Sequence, residues 1–175
     1  MYKQLFNPFE DRLSRDLRNE LSEALAVAVE TGSDEKLANI MKKYRSQPLA
    51  DCYRTYLEDR CARYEKALAA IPGIIDPIHR SLILWDLGLL FEVHEVLEHA
   101  WYTAEGRMKL TMQALIRAAG VYIKREYGYN EAAARIAAKA IPVLEKNRVL
   151  LEKYFKPEKL IAALASPDAS PPQLL

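Results

Sequence analysis

Helical periodicity is the sequence feature that most constrains the fold of this chain. Apolar residues recur three or four positions apart along most of its length, as Leu13, Leu17, Leu21 and Leu25 do near the start. Residues at this spacing share one face of an α-helix, whereas a strand alternates apolar and polar residues with a period of two. We find no such alternation in the sequence. The pattern therefore predicts an all-α protein, a single helical bundle of about six to eight helices.

Proline and glycine divide this helical pattern into parts. The strongest break is Ile71-Pro72-Gly73, because both Pro and Gly interrupt helices. We expect residues 1–75 to form an N-terminal helical extension packed on the core, since its apolar faces need a partner surface. Residues 76–165 should form the main helical domain. Residues 166–175 should be a disordered tail, because Pro and Ser predominate there.

Composition and charge exclude several classes of protein. A net charge of +1 at pH 7 provides no basic surface for nucleic acid. No stretch reaches about 18 uncharged apolar residues, so we expect no membrane span. Residues 1–9 lack the apolar segment of a signal peptide, so we expect a cytoplasmic location. Cys52 and Cys61 lie on one predicted helix, too far apart to face each other, so we expect two reduced thiols.

The segment Phe91–Trp101 concentrates ionisable side chains on an apolar background. We expect it to lie on one long central helix from Pro77 to about Tyr102. It carries His94, Glu95, Glu98 and His99 within six positions. A helix turns by about 100° per residue, which places Glu98 about 40° from His94, Glu95 about 100° away and His99 about 140° away. His94 and Glu98 are therefore expected in the middle of the apolar stripe, buried together.

Three elements of the sequence resemble one known family. The first is His94-Glu95-x-x-Glu98 followed by Trp101, the second is the helix 112–119 with Gln113 and Arg117, and the third is Gly128-Tyr129-Asn130 before an Ala-rich helix. Residues from about 83 to 141 are thus similar to the domain of unknown function 309 family, small all-α prokaryotic proteins. Arg117 stands where Gln is usual, and the His that many members carry after Tyr122 is absent. The resemblance implies a fold and no assigned activity.

Two chemical interpretations of the segment stay open. His94 and Glu98, one helical turn apart, are spaced to share a divalent metal ion, which is the one cofactor that the pattern indicates. The zinc-protease motif His-Glu-x-x-His is not met, because the fourth residue after His94 is Glu98. Alternatively, the pair could perform general acid–base catalysis of a hydrolase type, with Glu95 at the pocket mouth and Arg117 or Lys124 binding an anion. Whether the protein is an enzyme is open.

The interpretation that we favour is structural. We predict one polar cluster made of His94, Glu95, Glu98, Trp101, Gln113 and Arg117. Within it, the side chains of His94, Glu98, Trp101 and Gln113 would satisfy one another in the core and fix the helix register, with an interaction surface elsewhere. The Ala-rich helix after Asn130 permits close approach of a neighbour, so we also expect a homodimer. The ligand is unknown.

Overall fold

The protein is all-α, as the periodicity predicted. The computed structural model describes residues 5–175, which form nine helices and no strand. No helix in that part of the chain is both long and apolar enough for a bilayer. The helices are α1 (Arg12–Thr31), α2 (Glu35–Arg45), α3 (Asp51–Ala70), α4 (Pro77–Asp86), α5 (Leu90–Thr103), α6 (Gly106–Glu126), α7 (Asn130–Lys146), α8 (Arg148–Leu151) and α9 (Pro157–Ala165).

The helices group into two compact units, which divide within the predicted break at Pro72-Gly73. The first unit is Met1–Pro72 and contains α1 to α3, and the second is Gly73–Leu175 and contains α4 to α9. Each unit buries an apolar core of its own. The expected packing of residues 1–75 on the rest of the chain stays a prediction.

In the first unit, α1 packs against both α2 and α3. Its inward face holds Leu17, Leu21 and Leu25, all fully buried, and Tyr64 of α3 is equally enclosed. On the outside, Lys43 of α2 reaches Glu20 of α1 at 2.6 Å. Such exposed ion pairs contribute little, so the apolar faces hold the three helices together.

Asp11 begins α1 and connects it to α3. Its Oδ2 atom accepts hydrogen bonds from the Ser14 amide at 2.8 Å, the Ser14 hydroxyl at 2.7 Å and the Tyr53 hydroxyl at 2.9 Å. Partial burial raises the pKa of Asp11, but the bonds from Ser14 and Tyr53 outweigh it, and the pKa lies below its ordinary value. The ionised carboxylate is therefore the form that the fold stabilises.

We predict that Asp11→Ala lowers the free energy of unfolding by about 1–3 kcal/mol at neutral pH, because a helix cap and a tyrosine partner are lost together. The matched control is Asp34→Ala, since Asp34 precedes α2 without a side-chain capping bond. Because the folded pKa is lowered, the contribution of Asp11 exists above about pH 4, the ordinary range of the unfolded side chain. It disappears as the pH falls through the folded pKa. Urea titrations at pH 7 and pH 3 measure both effects, and equal losses in the two variants would contradict the assignment.

In the second unit, α6 is the central helix. It packs against α5 on one side and α7 on the other, and α7 in turn contacts α9. Burial on two sides suits its sequence, because apolar residues occupy both of these faces. The buried residues of α6 are Thr111, Met112, Ala114, Leu115, Ala118, Ala119, Val121, Tyr122 and Ile123.

The expected long helix from Pro77 to Tyr102 is wrong, because the chain breaks between α4 and α5. Gly88 has a φ of +70°, which favours glycine. The Gly88 amide donates to the Trp85 carbonyl at 2.9 Å and the Leu89 amide to the Leu84 carbonyl at 2.9 Å. This pair of bonds is the Schellman motif, in which a left-handed glycine ends a helix and satisfies its last carbonyls. Leu84 and Leu89, buried beside it, complete the motif.

Gly88→Ala should destabilise the protein by about 1–2 kcal/mol, because an L-residue is strained in the left-handed region. Gly120→Ala is the matched control. Gly120 lies inside α6 without a positive φ, and a methyl group added there meets no atom within 4 Å. Gly120→Ala should stabilise the protein by about 0.5–1 kcal/mol, because alanine lowers the conformational entropy of the unfolded chain. Thermal and urea unfolding of the two variants test the contrast, and a loss of stability in both would contradict it.

The 166–175 segment has fixed contacts, in contrast to the expected disorder. The Trp85 Nε1–H donates to the Pro172 carbonyl at 2.9 Å. The amides of Leu174 and Leu175 donate to the two carboxylate oxygens of Asp86, at 2.8 and 2.9 Å. Leu174 is only 6% exposed. Composition alone suggests disorder here, but partners at the end of α4 satisfy the polar backbone of the segment.

Candidate functional site

The phase of α5 places the four ionisable residues of the central segment differently from the expectation. The buried residues of α5 are Leu90, Glu92, Val93, Val96 and Leu97. The side chains of His94, Glu95 and Glu98 remain 33%, 20% and 40% exposed. The expected burial of His94 with Glu98 is therefore wrong. Because Gly88 ends α4, Ile83 and Leu87 no longer extend the apolar stripe on which that expectation depended.

His94, Glu95 and Glu98 nevertheless form a cluster, and we call these three residues the α5 cluster. His94 Nδ1 lies 3.4 Å from Glu95 Oε1 and 3.8 Å from Glu98 Oε2. One donor atom from each of the three residues lies within 4.8 Å of the others. The Phe91 ring lies nearly parallel to the imidazole, 13° between planes and 5.8 Å between centroids. The cluster thus has one aromatic wall and an open side.

The distances within the α5 cluster are too long for charge-assisted hydrogen bonds, which measure about 2.7–2.9 Å. His94 Nδ1 is shielded from solvent and has no hydrogen-bond partner within residues 5–175. Among these residues, no Lys or Arg forms an ion pair with Glu95 or Glu98. The carboxylates of Glu95 and Glu98 therefore face the His94 imidazole, and among the described residues no Lys or Arg balances their negative charge. This excess of negative charge favours a bound positive ion.

Trp101, Gln113 and Arg117 do not join the cluster. The Trp101 ring instead carries the Lys109 ammonium group 4.4 Å above its centroid. Gln113 and Arg117 are half-buried on α6, and in the described part of the chain neither makes a side-chain hydrogen bond or ion pair with the α5 cluster. Of the six residues predicted to form one polar cluster, the structure brings three together. His99 also lies outside it.

Glu92 is the buried carboxylate of α5, and sequence reasoning missed it. Its side chain is completely buried, more than any other ionisable group of this helix. Glu92 is the third residue of α5, where a negative charge interacts favourably with the free amides of the first turn. That position near the helix start was a usable signal. It was obscured because the helix was expected to begin at Pro77.

Comparison with known proteins supports the resemblance seen in the sequence. Residues 78–136 match DUF309, a domain of unknown function. The DUF309 match spans α4, α5, α6 and the start of α7, and it includes the α5 cluster. No curated protein matches the chain, and no solved structure does. The DUF309 match thus supports the relationship over about a third of the chain and assigns no activity to it.

The contrast between Glu92 and Glu98 is testable by stability. We predict that Glu92→Ala costs about 2–4 kcal/mol, because it leaves a cavity at a completely buried position and removes an acidic group from the first turn of α5. Glu98→Ala should cost less than about 1 kcal/mol, as is usual for a half-exposed ion pair. Urea unfolding in the presence of a chelator measures both. Equal costs would contradict the phase of α5 described above.

Proposed function

We propose that the α5 cluster binds a divalent metal ion through His94, Glu95 and Glu98. The observation that carries this proposal is the convergence of three donor atoms, one imidazole nitrogen and two carboxylate oxygens, within 4.8 Å of one another. Within residues 5–175, the carboxylates of Glu95 and Glu98 lie within ion-pairing distance of His94 and of no Lys or Arg, and the imidazole must be neutral to bind a metal.

The donor separations support a shared ion. Zinc lies about 2.0–2.2 Å from nitrogen and oxygen ligands in a tetrahedral arrangement, which separates neighbouring ligand atoms by about 3.3–3.5 Å. The distance from His94 Nδ1 to Glu95 Oε1 is 3.4 Å, and that to Glu98 Oε2 is 3.8 Å. The donor atoms of Glu95 and Glu98 lie within 4.8 Å of each other, and rotations of the two carboxylate side chains would bring them closer.

The ligand set selects among metals. Imidazole with carboxylates suits zinc, manganese or ferrous iron, whereas calcium and magnesium prefer oxygen ligands alone. Three protein donors leave at least one coordination position for water or a small ligand, the donor count of open zinc sites rather than closed structural ones. The partial exposure of His94 and Glu98 gives the ion a route to the cluster.

The test is calorimetric titration of the metal-free, full-length protein with zinc and with manganese. We expect one site, and His94→Ala and Glu98→Gln should each weaken metal binding at least tenfold, because each removes one of three ligands. The control is His79→Ala, which should leave metal binding unchanged, because His79 is an exposed histidine of α4 outside the α5 cluster. Binding should also weaken in mild acid, because protons compete for His94 Nδ1.

A stability measurement separates metal binding from a purely structural ion pair. Zinc at about 100 times its Kd should add roughly 2.7 kcal/mol to the free energy of unfolding of the parent and little to His94→Ala. A structural role predicts no response to metal in either protein. The proposal is wrong if the parent binds no metal, or if His79→Ala weakens binding as much as His94→Ala does.

A further inference from the structure

The contacts of the 166–175 segment define a second recognition site, independent of the α5 cluster. The segment is held by polar groups from the ends of α4 and α6 rather than by apolar packing. Leu174 is its one buried residue. The hydrogen bonds go chiefly to or from its main chain: Trp85 and Arg125 donate to carbonyls, and Asp86 accepts from two amides. Main-chain recognition with one side-chain pocket is how proteins bind extended peptides.

The two carbonyls recognised by α4 and α6 belong to residues three apart in the sequence, which is the repeat of a polyproline helix. Trp85 Nε1–H donates to the carbonyl of Pro172 at 2.9 Å, and Arg125 Nη1–H donates to that of Ala169 at 3.2 Å. These acceptors are three residues apart, which is one turn of polyproline II. Pro171 and Pro172 favour that conformation before binding and so reduce the entropy lost on docking.

The surface under the segment is a continuous row of three side chains. Trp85 packs edge-to-face on Tyr122 with ring centroids 5.6 Å apart, and the Arg125 guanidinium lies 5.2 Å from the Tyr122 ring centroid. Aromatic rows with an indole N–H directed outward are the surfaces that polyproline ligands occupy. We call Trp85, Asp86, Tyr122 and Arg125 the α4–α6 groove.

The segment spans this groove without filling it. A cleft of about 480 Å³ remains between its middle and the groove, lined among others by Leu90, Tyr122, Arg125 and Pro171. Most of the segment's side chains are exposed. A segment with so little buried apolar surface belongs to the least stable parts of a fold and opens without global unfolding. The segment is therefore held by a small number of hydrogen bonds together with its covalent attachment to α9.

We propose that the α4–α6 groove is a docking site for proline-rich peptides of the pattern Pro-Pro-x-Leu, occupied in the isolated protein by residues 171–174. The partner is a segment of another protein with this chemistry, which displaces the protein's own segment. A tethered competitor acts at an effective concentration of about 1 mM, so the protein's own segment limits access to partners that bind well below that value.

The experiment uses the full-length chain and a labelled synthetic peptide with the sequence of residues 166–175. Leu174→Asp releases the protein's own segment, because it places a charge at a buried position next to the Asp86 carboxylate. Fluorescence anisotropy should then show peptide binding to Leu174→Asp at least about tenfold tighter than to the parent, in which the tethered segment competes. Displacement is followed independently by the indole N–H signal of Trp85 in NMR, assigned with Trp101→Phe.

Two controls test the specificity of the groove. Adding Asp86→Ala to Leu174→Asp should weaken peptide binding at least about tenfold, because the peptide loses the two hydrogen bonds from the amides equivalent to those of Leu174 and Leu175 to the Asp86 carboxylate. A peptide with alanine at both positions equivalent to Pro171 and Pro172 should also bind more weakly. If Leu174→Asp lowers the melting temperature of the whole chain, the double variant Pro171→Gly with Pro172→Gly is used in its place, because it loosens the segment without introducing a charge.

Three results would overturn the proposal. The first is a displaced Trp85 signal in Leu174→Asp with no peptide binding up to about 1 mM, the effective concentration of the tether. The second is equal binding of the two peptides. The third is a parent dimer that Leu174→Asp converts to a monomer unable to bind the free peptide, which would make the groove a site of segment exchange between copies of this chain.

Discussion

The left-handed glycine between α4 and α5 is the constraint on which the second unit depends. Gly88 ends α4 with a Schellman motif and sets a new phase for α5. That phase directs Val93 and Leu97 inward and leaves His94 and Glu98 partly exposed. The same break leaves Trp85 and Asp86 in the last turn of α4, where they hold the 166–175 segment. One backbone conformation thus positions both the α5 cluster and the α4–α6 groove.

The fold class could be predicted from the sequence because it depends on local periodicity. Apolar residues at helical spacing identify α1 and α6, and the Pro72-Gly73 break coincides with the division between units. Gly88 was missed for a physical reason. A single glycine within an apolar run is tolerated inside helices, and what ends α4 is the pair of Schellman bonds around it, which no spacing rule reveals. Because α4 and α5 were expected to form one continuous helix, the residues of α5 that face the core were predicted wrongly.

The α5 cluster could be predicted in part for the same reason. His94, Glu95 and Glu98 meet because one helical turn brings them together, and this holds whatever packs around the helix. Their burial depended on the position of α5 against α4 and α6, so it was predicted wrongly. Gln113 and Arg117 belong to another helix, and their association with the cluster required side-chain contacts that a helical wheel cannot supply. Glu92 was hidden by the misplaced helix start.

The α4–α6 groove could not be found from sequence at all. Its contacts join residues 87 positions apart, between Trp85 and Pro172, and 44 apart, between Arg125 and Ala169. They are also made to main-chain carbonyls, which every residue possesses, so the acceptors leave no signature in the sequence. A composition rule that assigns disorder to Pro- and Ser-rich segments considers only the apolar surface that a segment can bury. It does not consider donors elsewhere in the fold, and here those donors fix the segment. Recognition by side chains within one helix is therefore visible in a sequence, whereas recognition of a backbone by distant side chains becomes visible only once the fold is known.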